Sequence, residues 1–504
     1  MFISRRGGLF AAACSAGLIA GLAVTPAAAE TLADAIALAY ESNPTLQAQR
    51  ATQRGLDEGV VQARTGWRPT VSVTAEADYQ QTRAKGLSRD PIDLNGDGVP
   101  EITGRNATTD SNVGVGRLTL SQPIWTGGRV GAAVSAAEAD VLAGRENLRR
   151  VESQVLASVI SAYVDVRRDQ EALRIRQENV QVLQRQLEES KARFEVGEIT
   201  RTDVAQSEAR LAASQAQLQS AMAQLAISRS SYAAVVGQNP GELAPEPSLA
   251  QLLPDDVDKA FDVAEQNNPQ IRAAEYATQA SRARVSGAKA EHMPSVSIGG
   301  TLGWSGLAEP LHVSDYSRDI TGRATVTVPL FSGGLVNSRV RAQVERNNAD
   351  RINVETARRS VLQAVTQSWN QLIAARSNIG STEQQVRAAR IAAEGTRQEQ
   401  QVGLRTTIDV LNAEQELRSA ELSQVSARRD EYVAAASLLF SMGRLEASNL
   451  APTVAKYDPK TNFEKLRITW GWVPWEEPIG IVDSALAPKT KELPREAAPA
   501  PPKP

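Results

Sequence analysis

The amino-acid sequence predicts an α+β membrane protein in which a few β-strands are continued by very long coiled-coil helices. Three observations lead to this fold class. The chain is internally duplicated, each half carries two alternating apolar–polar segments, and each half then continues for dozens of residues without Gly or Pro. Aromatic residues make up only 4 % of the 504 residues, which suits long exposed helices better than a thick globular core.

Residues 1–29 have the features of a signal peptide. An arginine pair precedes an apolar run and the small residues Ala27-Ala28-Ala29, the usual pattern before a cleavage site. The arginines are compatible with either twin-arginine or general secretory export. Cleavage before Glu30 would remove Cys14, the only cysteine, so no disulfide or thiol chemistry is expected afterwards. No later segment approaches 18 consecutive apolar residues, so no transmembrane helix is expected.

The duplication is visible as two sets of matching motifs. At an offset of 225 residues, "ADAIALAYESNP" matches "DKAFDVAEQNNP" and "RPTVSV" matches "MPSVSI". At an offset of 206, "SQPIWTGGR" matches "TVPLFSGGL" and "VGEITRTDV" matches "VGLRTTIDV". The first half therefore carries 19 additional residues, all between Pro69 and Pro123. Repeats of 20–50 residues are usual in arrays, whereas this duplication doubles a whole structural unit.

Each half is predicted to contain the same elements in the same order. A short helix ends at Asn-Pro, because proline disfavours helix in the preceding residue, and two strands and a helix hairpin follow. The predicted boundaries are a first repeat at 30–237 (strands about 70–82 and 112–122, hairpin 124–236), a linker at 238–254, and a second repeat at 255–443 (strands about 295–304 and 320–328, hairpin 330–442).

The predicted strands show one apolar face. Val71, Val73 and Tyr79 fall on the same side of an alternating segment, as do Ile298 and Trp304 in the second half. Segments of about ten residues with one apolar face and a terminal aromatic residue are typical of membrane β-strands. Half-buried strands of a soluble sheet have the same alternation, so both interpretations are open.

The helical regions carry an apolar residue at every seventh position. The series includes Val159, Val166 and Phe194 in the outgoing helix of the first hairpin, and Leu225 and Tyr232 in the returning helix. Sustained heptads predict a left-handed coiled coil. A rod-like structural or adhesive coiled coil is an alternative that this pattern alone leaves open.

A membrane sheet built from these strands cannot leave its edges unpaired. Each unsatisfied backbone group in lipid costs several kcal/mol, so a spanning sheet closes into a barrel. The sequence offers four such strands, whereas a barrel of about eight strands is only just filled by its own side chains. A hollow barrel therefore requires three or more copies of the chain.

The duplicated plan, together with "QPIWTGGR", "VPLFSGGL", "VGEITRTDV" and "VGLRTTIDVL", resembles the TolC family of outer-membrane channel proteins. The resemblance covers roughly residues 31–443. It implies a homotrimer with a 12-stranded β-barrel in the outer membrane of a Gram-negative bacterium, continued by a coiled-coil tunnel across the periplasm.

The resemblance also implies a function and partners. Such a channel is the exit duct of a tripartite export machine, which passes secreted proteins (type I secretion) or small toxic molecules. Its partners are a periplasmic adaptor, an inner-membrane pump of the ABC or proton-driven kind, and outer-membrane lipid. A trimeric coiled-coil adhesin or a periplasmic structural rod is the alternative function.

Two groups of residues at the predicted hairpin tips are assigned by the resemblance. We expect Arg405 to pair with Asp203 and Asp409 to line the narrow lumen as an acidic ring. The family pattern often has a second Asp where this chain has Asn412, and an aromatic residue where it has Gln400. The predicted gate residues are Thr202, Asp203, Gln400, Arg405, Asp409 and Asn412, and the predicted adaptor-docking residues are Val196, Gly197, Val402, Gly403 and Leu404.

An ordinary turn explains the composition of the same motifs. Gly197 and Gly403 can adopt positive φ and end the outgoing helices. Thr202 or Thr407, each closely followed by an aspartate, can then cap or charge the start of the returning helix. The turn and the gate interpretations are compatible with each other.

The segment "DLNGDGVPE" at 93–101 is similar to the first part of an EF-type calcium loop. Its candidate ligands are Asp93, Asn95, Asp97 and Glu101, but Gly104 replaces the closing glutamate. A solvated loop with Asx turns is the alternative. We therefore keep weak calcium binding as a hypothesis.

The remaining features predict neither catalysis nor nucleic-acid binding. Two histidines, no thiol after cleavage and no catalytic or phosphate-binding motif argue against an enzyme, and no cofactor is expected. The net charge of −3 without basic clusters argues against a nucleic-acid partner. Residues 444–484 are expected to pack around the outside of the tunnel at its equator, and the Pro/Ala-rich tail at 485–504 is expected to be disordered.

Overall fold

The computed structural model describes residues 29–84, 96–98, 107–308, 315–452, 454–468, 471–485 and 487. Two repeats follow one another, and each has two short helices, two strands and a long helix hairpin. The first repeat comprises α1 (Leu32–Ser42), α2 (Pro44–Arg64), β1 (Thr70–Ala84), β2 (Ala107–Trp125), α3 (Arg129–Glu195) and α4 (Arg201–Val236). The second comprises α5 (Val257–Asn267), α6 (Pro269–Ala290), β3 (Ser295–Leu307), β4 (Ser317–Thr327), α7 (Leu335–Gln401) and α8 (Thr407–Ser441). Three C-terminal helices follow among the described residues: α9 (Ala447–Leu450), α10 (Lys460–Ile468) and α11 (Glu476–Ala485).

The four strands form one antiparallel sheet in the order β1-β2-β3-β4. The first two are longer than the predicted 70–82 and 112–122, since the ladder continues to the pair of Ala84 with Ala107. The added pairs, such as Thr82 with Thr109, are mostly polar, so they extend the hydrogen bonding without extending the apolar alternation. β4 covers 317–327 where 320–328 was predicted.

One face of the sheet is apolar from edge to edge. Leu118 of β2 pairs with Val73 on one side and with Leu302 on the other, and Leu302 pairs with Ile320. The neighbouring row on the opposite face starts at Thr74 and is polar, with Arg117 and Asp319 among its members. Val73 and Ile320 are exposed in the single chain. An exposed apolar face this wide needs an apolar medium or a protein partner.

The two β-hairpins have the same register. Thr70 pairs with Ser121 in the first hairpin, and Ser295 pairs with Thr327 in the second. These pairs are related by the offsets that relate the sequence repeats, 225 for the first strand of each hairpin and 206 for the second. The duplication seen in the sequence is therefore reproduced in the backbone pairing.

The hairpin helices are unusually long. α3 and α7 have 67 residues each, which corresponds to roughly 100 Å of helix. α3 packs against α4 within its hairpin and against α8 of the second hairpin. α2 lies beside α3, and α6 contacts both α3 and α7. The predicted seam residues Val159, Val166, Leu225 and Tyr232 are buried, whereas Phe194 near the tip is exposed.

Polar pairs replace the apolar seam toward the first tip. The Nδ2 of Asn179 donates to the Oγ of Ser214 (2.8 Å), and Ser190 and Ser207 hydrogen-bond through their hydroxyls (3.1 Å). These four side chains are buried between α3 and α4. The heptad pattern alone did not predict this change from apolar to polar packing.

The two Asn-Pro motifs join short helices to long ones. Asn43 caps α2 by accepting from the backbone of Thr45 (3.0 Å), and its Nδ2 donates to the carbonyl of Val235 at the end of α4 (3.0 Å). Asn268 does the same for α6 and α8, since its Nδ2 donates to the carbonyl of Ser441 (2.7 Å). Each asparagine thus satisfies an orphan N–H of one helix and an orphan C=O of another.

The C-terminal helices pack against the first repeat. α10 lies on α2, and α11 lies on β2 and α3. Asp483 of α11 is fully buried, and its Oδ1 accepts from the backbone N–H groups of Thr126 (2.6 Å) and Gly128 (3.1 Å). Its Oδ2 accepts from the indole Nε1 of Trp67 (3.2 Å). This carboxylate therefore caps the start of α3, where a negative charge also complements the helix dipole.

Several sequence predictions fall on residues outside the described ranges. They include the signal peptide up to residue 28, the tail from residue 488, and the calcium-loop residues Asp93, Asn95 and Glu101. Asp97 is described, in a short bend. Among the described residues, no helix combines the length and apolar character that crossing a membrane requires.

Candidate functional site at the hairpin tips

The two tip turns have the same backbone geometry. Gly197 and Gly403 both have φ of 79°, a left-handed conformation that glycine adopts without strain. The N–H of Gly403 donates to the carbonyl of Gln400 (3.0 Å), and that of Leu404 donates to Glu399 (2.9 Å). The first tip has matching bonds from Gly197 and the residue after it. The glycines therefore end the outgoing helices as predicted.

The returning helices begin with capping boxes, and the cap residues differ from the prediction. Thr200, rather than Thr202, is the N-cap of α4, and Asp203 accepts from its backbone N–H (2.9 Å) and its hydroxyl. Thr406, rather than Thr407, is the N-cap of α8, and it bonds Asp409 in the same way. The Thr-x-x-Asp spacing is the signal that identifies these caps.

Asp409 has a local structural role in addition to its predicted place in the lumen. Its Oδ2 accepts from the hydroxyl (2.7 Å) and the backbone N–H (3.0 Å) of Thr406. These hydrogen bonds, the hydroxyl first, lower the pKa of the Asp409 carboxyl. The residue is therefore a carboxylate throughout the neutral and mildly acidic pH range.

Arg405 does not pair with Asp203 in the single chain. Its Nε donates to Glu399 at the end of α7 (2.8 Å), and the Asp203 carboxylate is engaged with Thr200. The expected pair is therefore not made within one chain, and between copies it stays a prediction. A pair between two copies of the chain is a separate matter, because the single chain contains no subunit boundary.

The remaining predicted gate residues lie inside the chain or between its two tips. Gln400 is buried. Asn412 accepts at its Oδ1 from Nη2 of Arg210 (2.9 Å), and Arg210 also donates to Gln415. Arg210 is on α4 and its partners are on α8, so this guanidinium links the two tips.

Sequence reasoning missed the link made by Arg210. The sequence gives no clear signal for it, because its partners Asn412 and Gln415 are uncharged and lie on the other hairpin. Two further arginines join the hairpins farther from the tips: Arg429 pairs with Asp165 (2.8 Å) and Arg418 lies 3.8 Å from Glu178. The first of these pairs is three-quarters buried, so it is less screened by solvent than the tip contacts.

The predicted docking residues form exposed apolar knobs. Val196, Val402 and Leu404 are 73 %, 70 % and 76 % exposed, and no described part of the chain covers them. The turning glycines lie directly beside them. Apolar side chains this exposed at the end of a long hairpin are a candidate contact surface for another protein.

Comparisons with known proteins agree with this geometry. The sequence profile of the family described as outer membrane efflux protein matches residues 35–238 and 260–444. Outer membrane efflux protein BepC from Brucella suis is 31 % identical over 90 % of this chain and 95 % of that protein. Alkaline protease secretion protein AprF from Pseudomonas aeruginosa is 27 % identical over 68 % of this chain and 72 % of that protein. The solved structure of outer membrane protein VceC from Vibrio cholerae matches with a TM-score of 0.65 at 21 % identity, over 82 % of this chain and 96 % of that one.

An apolar-faced sheet, paired tip turns and tunnel-length hairpins define the class of outer-membrane export channels. The chain belongs to the outer membrane efflux protein family. The predicted resemblance to the TolC family is thereby confirmed, since the relatives also include proteins named TolC. The fold is that of the outer-membrane channels, and each chain contributes a four-stranded sheet and two long helix hairpins. The protein is located in the outer membrane of a Gram-negative bacterium, and its family consists of transport proteins rather than enzymes.

Proposed function

We propose that three copies of this chain form the exit duct of a tripartite export machine that is gated at the hairpin tips. The observation that carries the proposal is the pair of matching tips, which end in the same turn yet bear different polar side chains. An adhesin or a rod does not need such a mouth. A periplasmic adaptor and an ABC or proton-driven inner-membrane pump would complete the machine.

Within each chain, Arg210 holds the first tip against the second through Asn412 and Gln415. Between chains, we propose that Arg405 exchanges Glu399 for Asp203 of the partner subunit. Each exposed contact contributes little by itself, because water and salt screen it. Because every contact is made three times in a trimer, the closed state would depend on a sum of weak links.

Asp409 would supply the charge of the opening. Three carboxylates in a narrow lumen attract cations and repel anions. Asn412 is uncharged and is engaged with Arg210. The channel would therefore have one acidic ring at this level.

The exposed knobs Val196, Val402 and Leu404 would receive the adaptor. Their apolar surface is available at both tips, so one adaptor hairpin could contact two neighbouring turns. The relatives' names include both an efflux protein and a protease secretion protein. Both cargo classes therefore remain part of the proposal.

The test is conductance of the purified protein in planar bilayers. Arg405→Ser combined with Asp203→Asn should raise the conductance above that of the wild type, while Arg405→Lys, which keeps the charge, should change it little. Asp409→Asn should lower the cation preference measured from reversal potentials. Absence of conductance in wild type and in every variant, with the trimer intact on gels, would exclude the channel and favour a structural rod.

A further inference from the structure

The sheet of a single chain ends in two free strand edges, on β1 and on β4. If the chain forms the proposed trimeric barrel, β4 of each subunit pairs with β1 of the next. The residue pairs at this boundary are not visible in one chain. They can be deduced, because the boundary has an equivalent inside the chain.

The internal equivalent is the junction between β2 and β3, where the first repeat meets the second. β4 corresponds to β2 with an offset of 206, and β1 corresponds to β3 with an offset of 225. The same two offsets convert the observed register of the first β-hairpin into that of the second without error. We therefore use these two offsets as the rule that relates strand pairs of the first repeat to those of the second.

We infer that the subunit boundary repeats the β2–β3 register, so that Thr325 faces Glu76 of the partner subunit. The observed pair of Thr119 with Thr301 is the equivalent inside the chain. The rule gives further pairs along the same strands: Thr327 with the partner's Thr74, Val326 with the partner's Ala75, Ala324 with the partner's Ala77, and Arg323 with the partner's Asp78.

This register keeps both faces of the sheet consistent. Val326 and Ala324 lie on the apolar face and meet the partner's Ala75 and the partner's Ala77, which continue the row of Val71 and Val73. A slip of one residue would bring apolar side chains against the polar face along the whole boundary.

The same register places opposite charges together on the polar face. Arg323 would lie opposite Asp78 of the partner subunit, whereas the equivalent pair inside the chain, Arg117 with Gly303, contains one charge. Opposite charges directly across an antiparallel pair stabilise it, and like charges destabilise it. The ion pair would therefore distinguish the subunit boundary from the internal junction.

The loop after β4 supports the same boundary. Leu330 and Phe331 are 92 % and 90 % exposed. Their equivalents in the first repeat, Ile124 and Trp125, are partly covered, and Trp125 pairs with Val296 after a bulge. The rule places Phe331 against Val71 of the partner subunit.

Disulfide trapping tests the register. Thr325→Cys combined with Glu76→Cys should give covalent dimers and trimers on non-reducing gels, which return to monomers on reduction. Thr119→Cys with Thr301→Cys is the matched internal control, and it should give an oxidised monomer without intermolecular bonds. Thr325→Cys with Gln80→Cys, about 13 Å away along the strand, should give little cross-linking.

The outcomes separate the register from the trimer itself. The register is wrong if the cysteine pair at 325 and 80 cross-links better than the pair at 325 and 76. It is also wrong if the internal control oxidises while a trimer of correct mass shows no cross-link between 325 and 76. Neither result contradicts the trimer. If the protein is monomeric by mass in detergent, the proposed channel fails as well.

A charge exchange gives an independent readout. Arg323→Asp and Asp78→Arg should each lower the temperature at which the trimer dissociates in detergent, and the double exchange should restore it. Failure of the double exchange to restore it, with both single variants lowered, would contradict the pairing.

Discussion

Replacing Asp483 by alanine tests whether this side chain holds α11 against the junction between β2 and α3. The carboxylate is fully buried and accepts from two backbone N–H groups, one indole N–H and the Thr126 hydroxyl. Alanine removes the acceptor and leaves these donors without a partner. The hydroxyl can turn to another acceptor, but the two backbone groups of Thr126 and Gly128 cannot.

The magnitude follows from those orphaned groups. Each buried donor left without an acceptor costs about 1–3 kcal/mol, and water entering the vacated space recovers part of this. We therefore expect the free energy needed to detach α11 from the start of α3 to fall by about 3 kcal/mol. At 1.4 kcal/mol per tenfold, this corresponds to roughly 100-fold more frequent opening.

Amide hydrogen exchange followed by mass spectrometry measures this opening in the purified trimer. Peptides covering 120–130 should exchange about 100-fold faster in Asp483→Ala. Asp483→Asn, which keeps one acceptor oxygen, should give an intermediate rate, and Ser484→Ala, at an exposed neighbouring position, should match the wild type. Unchanged exchange at 120–130 in Asp483→Ala would refute the assignment of this carboxylate as the cap of α3.

Three further predictions concern the joints, the tips and the equator. Asn268→Ala should lower the free energy of unfolding of the helical part by about 1–2 kcal/mol, because it removes both the α6 cap and the bond to Ser441; thermal loss of helical circular dichroism measures this. Arg210→Ala should raise open probability in bilayers by roughly tenfold, since the Arg210 link, taken as about 0.5 kcal/mol, is lost in each of three subunits. Glu152→Gln should raise the thermal unfolding temperature at pH 7 and make no difference near pH 4, because burial raises the pKa of the Glu152 carboxyl.

The sign of the last effect follows from linkage. A carboxyl whose pKa is raised in the folded state contributes stability below its unfolded pKa, and that contribution is lost as the pH rises through the folded value. Glutamine keeps an acceptor for the Tyr40 hydroxyl, which donates to Glu152 (3.2 Å). A stabilisation that is equal at pH 4 and pH 7 would contradict this reasoning.

Each of the other two predictions has a matched control. Asn268→Asp retains the cap oxygen but cannot donate to Ser441, so it should fall between wild type and alanine. Arg229→Ala removes an exposed arginine from the same helix as Arg210 and should leave gating unchanged. Equal conductance of the Arg210 and Arg229 variants would show that Arg210 does not hold the tips together.

The repetitive features of this fold were predictable from sequence, because they depend on local spacing. The duplication, the four strands and the turning glycines follow from motif offsets, alternation and heptads. The cap residues were misplaced by one or two positions, since several threonines compete within each tip. Asp203 was the predicted partner of Arg405, and no partner was predicted for Arg210. Within one chain, Arg405 pairs with the nearer carboxylate of Glu399. Arg210 bonds residues on the other hairpin, more than 200 positions away.

The cap on α3 was beyond sequence reasoning for the same reason of distance. Asp483 lies 357 residues after Thr126, and the sequence near either residue does not predict a contact between the two. The C-terminal segment looked like a covering for the tunnel. It also supplies a charged group to the first repeat.

This separation has a consequence for biogenesis. α11 is synthesised after both hairpins and all four strands, so the carboxylate that caps α3 is absent until then. A chain truncated before Asp483 would retain every strand of the barrel and both tips, yet the N-terminus of α3 would remain open. The capping contact between α11 and the start of α3 therefore forms only in a chain that extends through Asp483, whichever residues follow it.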